Sequence, residues 1–113
     1  MADVVYINEE EGKKRVMNNS KLYVKLLNKF KADTNLDNLV AFAAAQDWEK
    51  AQAAAHTVKG IAANLSLMEL FNQSLEVETQ LKGKSLNSES LESLKMCFSE
   101  TLSAVDKVIA RDA

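Results

Sequence analysis

Proline is absent from the 113 residues, and glycine occurs only at Gly12, Gly60 and Gly83. A β-rich or loop-rich fold draws its tight turns from those two residue types, so such a fold is starved of its punctuation. Cys97 is the only cysteine, which excludes a disulfide within the chain, and beside His56, the only histidine, it cannot make a zinc site of three or four soft ligands. Folding must rest on apolar packing. No apolar stretch approaches the roughly 20 residues of a membrane span, and the N-terminus has neither the basic nor the apolar region of a signal peptide. A reducing, cytoplasmic compartment is the expectation. With 14 basic against 16 acidic residues the formal charge is -2, without the basic field that nucleic-acid binding uses.

What is present is the composition of a globular protein: 47% hydrophobic and 27% charged residues, enough apolar surface to exclude disorder. The length fits one domain over residues 1–113, and the abundance of Ala, Leu, Lys and Glu makes it all-α.

The apolar run Val4-Val5-Tyr6-Ile7 leads to Asn8, an N-cap for Glu9-Glu10-Glu11, whose charges suit the positive end of a helix dipole; this first helix should end near Met17. Asn18-Asn19-Ser20 reads as a turn and a new cap, followed at helical spacing by Leu22, Tyr23, Leu26, Leu27 and Phe30. Thr34-Asn35-Leu36-Asp37 resembles a capping box, with Leu36, Leu39, Val40, Ala43 and Gln46 on one side of a third helix and Phe42 at the stripe's edge. Asp47 caps a fourth helix whose apolar face is Trp48, Ala51, Ala55, Val58, Ile61, Ala62 and Leu65.

Ser66-Leu67-Met68-Glu69 is a full capping box, making Ser66 the corner and N-cap of a fifth helix that turns Leu67, Leu70, Ser74, Val77 and Leu81 inward. Lys82-Gly83-Lys84-Ser85 is a loop with Gly83 suited to a left-handed cap, and Ser88 caps a last helix carrying Leu91, Leu94, Phe98, Leu102, Val105 and Ile109. Short connections force antiparallel neighbours. The fold class is therefore an antiparallel up-and-down four-helix bundle with one or two additional N-terminal helices, the last four helices forming the bundle and the first two elements capping it.

On a wheel of about 100° per residue centred on Val58, the fourth helix places His56 about 160° from the buried stripe. Its neighbours on that outer face are Ala53, Gly60 and Ala63, small and uncharged where an exposed face normally carries Glu, Lys or Gln. Gly60 is the informative choice, since a mid-helix glycine costs about 1 kcal/mol relative to alanine and no turn is needed there. Something must come close to the backbone. Lys59, one turn after His56, can share an anionic ligand with the imidazole. A neutral imidazole with one free nitrogen accepts a phosphoryl group well, and a neighbouring ammonium compensates the added negative charge.

The segment from Ala55 to Leu65, with His56, Lys59 and Gly60 spaced as His-x-x-Lys-Gly, resembles the signature of histidine-containing phosphotransfer domains. Ile7 to Gly12, Leu22-Tyr23 with Leu26-Leu27 and Phe30, Asp47-Trp48, and Val77-Glu78 extend the resemblance over nearly the whole chain. It departs at Ser66, where many members of that family have glycine; as a good N-cap, Ser66 should preserve the corner. The resemblance implies a carrier without kinase activity of its own. His56 would accept a phosphoryl group from a receiver aspartyl phosphate and pass it to another receiver, Lys59 would support the phosphate, and Gly60 would admit the receiver. The implied partners are response-regulator receiver domains and a hybrid sensor histidine kinase, with no cofactor of the chain's own because the receiver brings its acids and Mg²⁺.

The steric demand of in-line attack places the docking face on Gln52, Ala53, Gly60 and Ala63 around His56, helped by exposed residues of the second and third helices. The polar outer faces and the lack of a sustained coiled-coil seam favour a monomer. The rival reading is a helical adaptor or inhibitor that docks on receivers or kinases through the same face without being phosphorylated; a scaffold with an incidental histidine is a third. Other chemistry is thin. A carboxylate-bridged metal pair lacks its Glu-x-x-His motifs, because Ala53 stands three residues before His56. Glu76 and Glu78 point to different faces, Lys13-Lys14-Arg15 and Lys82-Lys84 read as solvated charges, and Trp48, Met68 and Met96 read as packing residues.

Overall fold

The computed structural model describes residues 6–112, and these contain six helices and no strand: α1 Glu9–Lys14, α2 Ser20–Lys31, α3 Asn35–Ala44, α4 Trp48–Leu65, α5 Met68–Lys82 and α6 Ser88–Asp112. The expectation for Val4 and Val5 lies outside the described residues. Asn8, Asn19 and Asp47 cap α1, α2 and α4 as read, their side chains accepting from the backbone N–H of Glu11, Leu22 and Lys50. α1 stops at Lys14 rather than near Met17, because Met17 and Asn18 both take left-handed φ angles that no right-handed helix admits.

Four further local readings change. Thr34 caps α3 without a side-chain hydrogen bond, and the Asn35 N–H is taken instead by Asp33 Oδ1 at 2.8 Å. Gln46 leaves the expected α3 stripe altogether: it follows the helix, exposed, with φ 57°. Gly83 has an ordinary φ of -86°, and the left-handed position falls one residue later at Lys84. The cap of α6 comes from Asn87, whose Oδ1 accepts from the Glu89 N–H at 2.8 Å, while Ser88 is the first residue of the helix.

The four-helix bundle holds, with a different membership. α2 packs on α4 and α6, α4 on α5, and α5 on α6, which closes a ring; α3 packs on α4 and makes no comparable contact with α5 or α6 among the described residues. The reason is the size of the apolar stripe. α2 buries Tyr23, Val24, Leu27 and Phe30, whereas α3 buries only Leu36 and Leu39. The Phe30 and Phe98 rings, with centroids 5.3 Å apart, join α2 to α6, and Lys31 pairs with Asp106 at 2.5 Å beside them. Between α5 and α6, Gln73 meets Ser93 and the later Gln80 meets the earlier Ser90, so the two run antiparallel.

Ser66 is the corner between α4 and α5, in another role than the one read from its spacing. It ends α4 in a left-handed conformation, φ 57°, and Leu67 occupies the N-cap position of α5 with no side-chain hydrogen bond. A non-glycine residue there carries a conformational penalty of about 1 kcal/mol or more. Its buried hydroxyl offsets part of that by accepting from Arg15 and donating to Glu11 Oε1. The carbonyls at the end of α4 are claimed by the N-terminal elements as well: Tyr23 Oη donates to Leu65 O at 2.8 Å and the Asn8 N–H to Ser66 O at 2.9 Å. Helix ends must find such partners when buried. α1 can approach this closely because Gly12 has no side chain; a Cβ there would lie 2.6 Å from the Tyr23 ring.

Candidate functional site

α4 buries Ala51, Ala54, Ala55, Val58, Ala62 and Leu65, and its opposite face exposes Ala53, His56, Gly60 and Ala63, with Gln52 half-buried beside them. The His56 side chain is 69% exposed. Gly60 faces open space: a Cβ at that position would meet nothing within 4 Å, so no neighbour within the described structure demands the glycine. The helices flanking α4 are α3, through the Lys50 ammonium 5.8 Å from the Phe42 ring centre, and α5. α2 touches α4 near its C-terminal end, at Leu65, and it is α5, not α2, that stands beside His56.

α5 brings the residue that spacing did not single out. Glu78 is 3% exposed, and its two oxygens are divided between two partners on α4: Oε2 lies 2.8 Å from His56 Nδ1, and Oε1 accepts from Lys59 Nζ at 2.6 Å. Burial pushes the Glu78 carboxyl up, but the hydrogen bonds and charges of Lys59 and His56 outweigh it and hold the group below the usual carboxylate range. It is a carboxylate at neutral pH. Glu76 and Glu78 do point to different faces, Glu76 outward and Glu78 into the α4–α5 seam. The legible signal was position: Glu78 adjoins Val77 and falls one helical turn after Ser74 on the inward side of α5, and a carboxylate buried there requires a partner.

An ionised carboxylate accepts and cannot donate, so the proton on His56 Nδ1 lies between that nitrogen and Glu78. In the neutral imidazole the other ring nitrogen, Nε2, carries the lone pair, on a side chain that is open to solvent and has no further partner among the described residues. Lys59 is not a freely solvated cation waiting beside the imidazole: it is joined to it through Glu78. Cys97 offers no rival nucleophile, since it is buried, hydrogen-bonded with Thr101, and its thiol is pushed up by burial to about 11.

Among the basic residues, Lys14, Lys82 and Lys84 are exposed as read, while Arg15 pairs with Glu11 and reaches the Ser66 hydroxyl and Asn64 O. Trp48 packs against the core, but Met96 is 70% exposed and Met68 39%, each lying off the buried stripe of its helix. No group of three or more His, Cys, Asp and Glu among the described residues could hold a metal ion, and no helix there is long and apolar enough to cross a membrane.

Comparison with curated proteins and with solved structures gave no match. The family model of the Hpt domain matches residues 26–107, which run from the middle of α2 through most of α6 and take in His56, Lys59, Gly60 and Glu78. With the helical bundle and an exposed histidine on it, this match shows that the chain belongs to the Hpt domain family, whose members are phosphocarrier modules of phosphorelays rather than kinases.

Proposed function

We propose that His56 accepts a phosphoryl group on Nε2 from the aspartyl phosphate of a response-regulator receiver domain, itself charged through a hybrid sensor histidine kinase, and returns it to the aspartate of another receiver. The observation that carries this reading is the division of labour on the ring, Nδ1 tied to Glu78 at 2.8 Å and the other nitrogen outward. Nε2 attacks phosphorus in line, the N–P bond forms, the acyl phosphate P–O bond breaks, and the aspartate leaves with the electron pair as a carboxylate. No proton has to move, because the imidazole keeps the one on Nδ1.

The phosphorylated ring is cationic, and the Glu78 carboxylate compensates that charge where it develops. Lys59, on the other oxygen of Glu78, supports the phosphoryl oxygens. Gly60, with Ala53 and Ala63, lets the receiver come within about 3 Å of the nitrogen, a distance that long side chains would prevent, and Gln52 belongs to the docking face at its edge. The acidic residues and Mg²⁺ belong to the receiver, and transfer in the opposite direction passes through the same arrangement.

The test is incubation of the protein with phosphorylated receivers. Label on this chain should be acid-labile and base-stable, absent from His56→Gln, and assigned to Nε2 by NMR of the phosphorylated ring. Lys59→Ala should slow transfer and shorten the life of the phosphorylated state. Uptake by His56→Gln, or a phosphoryl group on Nδ1, would overturn the assignment.

A further inference from the structure

α2 is the electrostatic exception in a chain of net charge -2: it carries Lys21, Lys25, Lys29 and Lys31 and no acidic residue. Lys31 is paired with Asp106, whereas Lys21, Lys25 and Lys29 are exposed and have no acidic partner among the described residues. Intervals of four stack these like charges along one side of the helix, an unfavourable arrangement that an anion relieves. Each of the three is followed by an apolar residue, Leu22, Leu26 and Phe30, so an apolar row runs beside the lysine row, about 100° round the helix. Leu22 is 39% exposed, Leu26 half-buried and Phe30 buried, and the row thus sinks into the protein toward the C-terminal end of α2.

It sinks into a cavity of about 550 Å³, with Leu26 and Phe30 on the α2 wall and Ile61 and Leu65 on the α4 wall. The connection 32–34 lines it as well, but no residue of the α3 helix does, because α3 packs on α4 and leaves this part of the seam with α2 uncovered. Cavities of this size with mostly apolar walls and a few orienting polar groups are typical small-molecule sites. Two charged side chains border it. The Asp33 carboxylate is committed to the backbone and side-chain N–H groups of Asn35, at 2.8 and 2.9 Å. The Lys29 ammonium, at the rim, has no such commitment. The cavity also lies apart from the phosphoacceptor: on the α4 wheel Lys59, which meets Glu78, is about 60° from His56 in one direction, and Asn64 and Ile61, which line the cavity, are about 80° and 140° away in the other.

We infer that the cavity between α2 and α4 binds a small acidic amphiphile, its apolar tail against Leu26, Phe30, Ile61 and Leu65 and its anionic head on the Lys29 ammonium. Lys25, one turn earlier, adds positive potential at the same mouth, and the negative charge of Asp33 keeps the head away from the 32–34 connection. A free acid fits the site better than a membrane does, since concave apolar walls enclose a single tail and a bilayer presents a broad surface of head groups. The inference does not depend on His56 accepting phosphate.

Sodium octanoate is the probe, titrated into the isotope-labelled full chain and followed through backbone amide shifts. Saturable shifts should gather at Leu26, Lys29, Ile61 and Asn64, with a Kd of about 1 mM, the scale for a ligand of about ten non-hydrogen atoms. Butyrate, with a tail shorter by four methylenes, should bind at least about 10-fold more weakly. Lys29→Gln, a change at an exposed position, should weaken octanoate by about 5-fold and leave octan-1-ol unchanged. Lys21→Gln, outside the cavity, should leave both within about 2-fold of wild type. Shifts that rise without saturation, or that spread over the exposed faces, would overturn the cavity as a site. Equal octanoate binding by wild type and Lys29→Gln would overturn the acid as its ligand. Pelleting of the protein with phosphatidylglycerol vesicles, without a saturable octanoate shift, would assign the lysine row to a membrane and overturn the free acid.

Discussion

His56 Nδ1 and Glu78 Oε2 stand 2.8 Å apart across 22 residues of sequence, and the same carboxylate holds Lys59 through its other oxygen at 2.6 Å. Glu78 thereby sets the tautomer of the ring, orients it, and keeps a cation beside it. A single buried side chain on α5 organises two on α4.

Replacing that carboxylate separates charge from geometry. Glu78→Gln retains an oxygen that can accept from Nδ1 but removes the negative charge, and should slow phosphotransfer by about 10-fold while receiver binding is kept. Glu78→Ala leaves Lys59 without its partner and the ring without its acceptor, and should lower the unfolding free energy by about 1–3 kcal/mol in urea titrations. Transfer at the wild-type rate by Glu78→Gln would reduce Glu78 to a structural role.

The same residue makes stability depend on acidity in a defined direction. Its carboxyl is held below the usual range by Lys59 and His56, so its contribution is present in full above the ordinary carboxylate value of about 4.3 and is lost as pH falls through the lower folded value. The stability difference between wild type and Glu78→Gln should therefore shrink progressively below about pH 4. A difference that grew as pH fell below that range would contradict the depressed carboxyl.

Gly60 gives the clearest opposition between stability and activity. Because an added Cβ meets nothing within 4 Å, Gly60→Ala should stabilise the protein by about 1 kcal/mol through helix propensity alone. Gly60→Gln should also be at least as stable as wild type by thermal unfolding, yet transfer phosphate more slowly, since its side chain stands where the receiver must approach. Normal transfer by Gly60→Gln would remove the close-approach explanation.

Gly12 is the opposite case. Its Cβ would fall 2.6 Å from a ring atom of Tyr23, whose hydroxyl is committed to Leu65 O, so the ring cannot move aside without breaking that bond. Gly12→Ala should destabilise the protein by about 1–3 kcal/mol, measurable as a lowered urea midpoint, with His56 chemistry unchanged in the folded fraction.

The amino-acid sequence alone determined what depends on neighbours along the chain. Helix periodicity, the caps at Asn8, Asn19 and Asp47, and the outward placement of His56 with Ala53, Gly60 and Ala63 all follow from the repeat of one helix and the hydrogen bonds of its first turn. Only the tertiary structure decided what depends on which helices meet. It admitted α2 to the bundle in place of α3, because burial rewards the larger apolar stripe wherever it stands in the order. It put Ser66 into a left-handed C-terminal cap of α4, where Arg15 and Glu11 hold its hydroxyl, although its spacing to Glu69 suits an N-cap equally well. And it gave Glu78 to His56 and Lys59: a carboxylate's place on its own wheel says that it needs a partner, but the partner lies on another helix, and the distance between two helices is fixed by packing rather than by sequence separation.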